Sequence, residues 1–158
     1  MNLKYDDVGC LLQGIYDLSL DEIEHEFVAG KSKRRHDIFE KYKYHLNEIK
    51  DTNCCLNHWI DGSFVTLKEN PDDMIHLQNL MVLRPKLGIL DEIDNIIYDA
   101  PFRTNNFCHS FRVFKVPQSW KKDYDEYIKI KSRILFILFP SDSRTGNVKG
   151  FLKLKMVS

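Results

Sequence analysis

Hydrophobic positions in this chain change their spacing several times, and each change marks an element. Leu20, Ile23 and Phe27 recur at helical spacing behind Ser19-Leu20-Asp21-Glu22, which has the form of a capping box. Gly30 closes that helix. Ser32 can cap a second one, in which Ile38, Phe39, Tyr42, Leu46 and Ile49 form a single apolar stripe. Lys33, Arg34, Arg35, Lys41 and Lys43 fall off that stripe and read as a solvated face, with a docking surface as the alternative. Residues 1–18 read as extended, broken at Gly9 and Gly14. Cys54 to Asp61 reads as a strand that delivers the chain to Gly62-Ser63. A loop follows to Asp73, with Asn70-Pro71 as its turn, and Met74 to Leu83 is the next strand.

The second half carries weaker punctuation. Pro85 opens a third helix striped by Leu87, Leu90, Ile93 and Ile97. Ala100 to Ser110 reads as irregular, and Phe111 to Val116 as a strand stopped by Pro117. Trp120, Tyr124, Tyr127 and Ile128 predict a fourth helix. At the end, Arg133 to Phe139, the turn cluster SDSRTGN, and Leu152, Leu154 and Met156 alternating with Phe151, Lys153 and Lys155 predict a hairpin. Its lysines read as protection of an exposed edge. The sum is one α+β domain over residues 1–158, a small mixed β-sheet with helices packed on one side.

Composition narrows the partners. Lys plus Arg equals Asp plus Glu at 23 each, so nothing global draws the chain to nucleic acid or an anionic membrane, and neither is expected as a partner. The N-terminus has no apolar core of a signal peptide. The longest uninterrupted apolar run, Ile134 to Phe139, is far short of a membrane span. Cysteines 10, 54, 55 and 108 form no CxxC pair and read as reduced thiols of a cytoplasmic protein. His58 reads as a core histidine, and His109 beside Cys108 is a minor metal hint. There is no P-loop, nucleophile elbow or H-E-x-x-H.

The remaining chemistry lies at Gly62-Ser63 and the pair Asp72-Asp73. Glycine after a strand lets backbone approach a phosphate, and serine offers a hydroxyl and an amide. Metal-assisted nucleotide transfer also needs carboxylates on one strand face, as Asp-x-Asp or Asp-x-Glu, and a third from a neighbouring strand. Ile60-Asp61-Gly62-Ser63-Phe64-Val65-Thr66, with Lys68, Pro71 and Asp73, closely resembles a family of short bacterial nucleotidyltransferase-like proteins with the signature I-D-G-S-F-V-T-x-K-x-x-P-x-D-x-D. Gly9, Leu11, Gly14, Ile15, Leu18, Leu20 and Glu26-Phe27 resemble its opening, and Arg144 to Phe151 its closing turn and strand.

The resemblance implies a nucleotidyltransferase-like fold. It implies phosphate binding by Gly62, Ser63 and Lys68, and a metal role for Asp73. In an active member, magnesium and a nucleoside triphosphate would serve as cofactor and substrate. The chain departs from the pattern where the second aspartate should stand, because position 75 is Ile75. Asp72 and His76 have the wrong parity on a strand. The strand near Phe111 to Val116 offers Arg112 and Lys115 but no acid. The expectation is therefore a degenerate domain, catalytically inactive and needing no cofactor. It would bind a protein partner, such as a neighbouring gene's product in an antitoxin or phage-defence context. The alternative is an enzyme that moves a nucleotide such as AMP to a protein or small acceptor, with Asp73 catalytic. Homodimerisation through the helices stays open.

Overall fold

The computed structural model describes residues 3–51, 55–81, 108–115, 117–133, 141 and 146–154. Five strands, β1 (Ile15–Leu18), β2 (Cys55–Asp61), β3 (Met74–Met81), β4 (Cys108–Lys115) and β5 (Phe151–Leu154), form one sheet in the order β1-β5-β2-β3-β4. β1 runs parallel to β5 and β3 parallel to β4, while β2 is antiparallel to both its neighbours. The helices are α1 (Leu20–Phe27), α2 (Lys33–Asp51) and α3 (Lys121–Arg133).

α1 starts where its capping box predicts. The Ser19 hydroxyl accepts from Glu22 N and the Glu22 carboxylate accepts from Ser19 N. The stripe of α2 is fully buried, from Ile38 to Ile49. Its Ile38, Phe39, Tyr42 and Leu46 pack with Ile23 and Phe27 of α1 onto Leu18, Ile60, Met74, Leu152 and Leu154 of the sheet. Each such side chain taken from water contributes about 1.5–3 kcal/mol. Phe64 joins this core, stacked against Phe39 with ring centroids 6.2 Å apart.

Strand parity sends Ile15, Asp17, Asn57, Trp59 and Lys153 to the other face, where α3 lies with Lys131 over the Trp59 ring. Helices therefore flank both faces of the sheet, whereas the sequence pattern places them on one side. The α3 stripe has its own surface to cover, since Tyr127 is buried there.

Four further expectations need correction. Arg35 is buried, not solvated, and its role is given below. β5 is not an edge: it sits between β1 and β2, and Lys153 forms an ion pair with Asp17 at 3.2 Å instead of guarding an open strand. β4 begins at Cys108, inside the stretch read as irregular. Arg133 ends α3 and does not begin a strand. Of the expected C-terminal hairpin, an antiparallel bridge between Ser141 and Val148 is described. Cys54, the predicted third helix, and residues 134–140 lie outside the described residues. Among the described residues, no helix is long and apolar enough to cross a membrane.

Candidate functional site

β2 ends at Asp61, and Gly62 turns the chain with φ +88°. A side chain is excluded there twice over. The φ lies in the left-handed region, and a Cβ would stand 3.0 Å from both Asp73 O and Ile75 N. Backbone from the start of β3 thus presses against the Gly62 corner. A short 3-10 turn, Ser63–Val65, follows.

Ser63 is wholly engaged by the residues ten positions on. Its N–H and its hydroxyl both donate to Asp73 Oδ1, at 2.9 and 2.7 Å. The hydroxyl accepts from Asp72 N at 2.7 Å and Asp73 N at 3.0 Å. A serine oxygen has one proton and two lone pairs, so this hydroxyl is saturated. Phe64 N also donates to Asp73 O at 2.9 Å. The structure therefore brings together Gly62, Ser63 and Asp73 of the sequence-derived site. It does not bring Lys68 to them, because the Lys68 ammonium pairs with the Asp72 carboxylate on the exposed side of the loop.

The loop itself is hung from α2. Arg35 makes five hydrogen bonds, to the carbonyls of Phe27, Phe64, Thr66 and Lys68. Ser32 Oγ donates to Glu69 O and Arg34 Nε to Pro71 O. A guanidinium presents its donors as a fixed planar fork, which suits several converging carbonyls. Burial lowers the Arg35 pKa. Beside it, Tyr5, Glu26, Lys31, Thr66 and Glu69 line a cleft of about 430 Å³.

Two features of this corner escape sequence reasoning. Asp61, at the end of β2, is buried and salt-bridged to Lys149 at 2.5 Å. Lys149 also donates to Gly62 O at 3.3 Å. Burial pushes the Asp61 pKa up to about 6, with Lys149 acting against the rise. Lys149 has no role in the sequence-derived site. The available signal was its place in a Lys-Gly pair before an apolar strand. Gly150 lets the chain pass where a Cβ would fall 2.3 Å from Leu12 O.

The second carboxylate position, Ile75, stands in register with Asp61 across the ladder and with His109 on β4. On the core face, Tyr42 bonds His58 Nδ1 at 2.8 Å, and the His76 ring lies 4.8 Å from that of His45 and 5.2 Å from that of His58. His58 is thus a core histidine. Among the described residues, no group of three or more His, Cys, Asp or Glu is placed to hold a metal ion. The residues at the corner do not fit a two-magnesium centre. Asp73 commits its Oδ1 to Ser63, Asp61 is matched by Lys149, and Ile75 offers no oxygen where a second carboxylate would stand.

Fold and corner together define a small α+β domain whose Gly-Ser turn is closed by an aspartate just before the next strand. The chain belongs to DUF6932, a family of unknown function, whose pattern matches residues 3–155. No curated protein and no solved structure matches it.

Proposed function

We propose that this is a degenerate nucleotidyltransferase-like domain that acts by binding a protein partner, not by transferring nucleotides. The observation that carries the reading is the Asp73 carboxylate bound to both donors of Ser63. An incoming phosphate oxygen would need those same donors. It would have to displace a carboxylate, against that carboxylate's charge, with no metal frame to neutralise either. Hydrogen bonds to charged groups net roughly 1.5–3 kcal/mol each, and displacement consumes most of that.

Nucleotide binding is expected at about millimolar strength and independent of magnesium. Calorimetry with ATP and GTP, with and without magnesium, tests this. Micromolar, magnesium-dependent binding that Ser63→Ala or Asp73→Ala abolishes would overturn it. The competing reading, transfer of a nucleotide such as AMP to a protein or small acceptor, draws support from Gly62, Ser63 and Asp73 lying together. It requires label transfer from a nucleotide that Asp73→Ala removes. The partner expected from the resemblance is the product of a neighbouring gene, and co-purification of the two proteins tests that pairing.

A further inference from the structure

The face of the sheet away from α2 carries a groove of about 400 Å³ between β1, β5, β2 and the C-terminal half of α3. Trp59 forms its buried floor. Ile15 and Ile128 stand on it at 48% and 40% exposure, so the groove offers water two aliphatic side chains beside the Trp59 ring. Among the described residues, the charged side chains of the lining are Lys131 and Lys153. Lys153 leans on Asp17 at 3.2 Å. Lys131 is held over the rings of Trp59 and Tyr127, at 5.5 and 5.7 Å from their centroids. That position fixes the ammonium at the groove without spending its charge on a carboxylate. The same stretch of α3, from Tyr127 to Arg133, adds Lys129 and Arg133 and contains no acid.

We infer that this groove binds a segment of a partner protein that combines aliphatic or aromatic side chains with Asp or Glu. The inference rests on the partner-binding reading above and names the chemistry of that partner. Apolar side chains of the segment cover Ile15 and Ile128 and reach towards Trp59. Its carboxylates pair with Lys131 and with the basic end of α3. A nucleic acid fits less well, because a phosphate backbone seated on these lysines would leave both isoleucines uncovered.

Panning a library of twelve-residue displayed peptides on the full-length protein tests the inference. Enriched peptides should combine acidic and large apolar residues. Their binding should weaken at least about tenfold with Ile128→Asp and with Lys131→Glu, and less with Lys131→Gln. Trp59 reports the same event by fluorescence in a Trp120→Phe background, since the chain has 2 tryptophans. Leu67→Ala, at an exposed position in the loop held by Arg35, should leave the affinity unchanged. Basic or unenriched peptides overturn the inference. So does binding indifferent to Lys131→Glu in a variant whose circular dichroism matches the parent. Tighter binding of single-stranded oligothymidine, lost with Lys131→Glu, reassigns the groove to nucleic acid and equally overturns it. The nucleotide calorimetry reads a different place in the molecule, so failure at the groove and failure at the Gly62-Ser63 corner are separable.

Discussion

Acidification should loosen the seam between α2 and the sheet before it affects the rest of the fold. Burial pushes the His58 pKa down to about 3, with the nearby His45 and Lys50 charges adding to the effect. Burial alone pushes that of His45 down to about 4. Both folded values lie below the ordinary 6.5, so the unfolded chain takes up protons first as pH falls. The stability carried by the neutral rings is fully present above 6.5 and is lost as pH drops towards 4 and then 3. At pH 5 each ring costs about 2 kcal/mol relative to neutral pH. Asp61 works in the opposite sense. Its folded value of about 6 lies above 3.8, so its contribution is full below 3.8 and lost as pH rises through 6. That offsets about 1 kcal/mol, leaving a net loss of about 2–3 kcal/mol between pH 7.5 and pH 5. Such a loss is a large part of the roughly 5–15 kcal/mol by which domains are stable. Urea melts followed by circular dichroism across that range measure it. His58→Phe should cost about 1 kcal/mol at pH 7.5, where the Tyr42 hydroxyl loses its bond to His58 Nδ1, yet lose less on going to pH 5. Melts that are flat from pH 7.5 to 5, or an unchanged slope in His58→Phe, would refute the reasoning.

Other substitutions probe the corner. Arg35→Lys should destabilise by about 3 kcal/mol in thermal melts, because a lysine cannot reach four converging carbonyls; proteolysis should then cut first between Thr66 and Pro71. Gly150→Ala should cost about 1–3 kcal/mol, as the new methyl group meets Leu12 O and the Tyr16 ring. Lys149→Met should cost about 3 kcal/mol at pH 8, where it strands an ionised Asp61, and less at pH 5, where that carboxyl is protonated. Adding Asp61→Leu should recover part of the loss at pH 8, and a double variant as unstable as the single one would contradict a buried ion pair.

What could be read from the chain was whatever local rules decide. The Ser19 capping box is a contact between residues three apart, and the α2 stripe repeats every turn, so both are legible without knowing any partner. The Ser63–Asp73 contact is legible in part, since ten residues and an Asn-Pro turn suffice to bring the chain back. The missed contacts are those in which a long cationic side chain answers a distant group. Arg35 reaches carbonyls 29, 31 and 33 residues away, and Lys149 reaches a carboxylate 88 residues away. A helical wheel assigns Arg35 to the solvent side because it treats charge as a reason for exposure. Inside this fold the carbonyls of an irregular loop cannot pair with a ladder, and a buried guanidinium is what satisfies them. The position of β5 was hidden for a related reason. Alternation tells which face a residue takes but not which strands lie on either side, and its parallel partner β1 comes from the opposite end of the chain. The Gly62-Ser63 corner is therefore assembled from four remote pieces, β2, the start of β3, α2 and the segment before β5. The Gly-Ser pair after a strand marks its location, while Arg35 bonds the carbonyls of its loop and Lys149 balances the charge of Asp61.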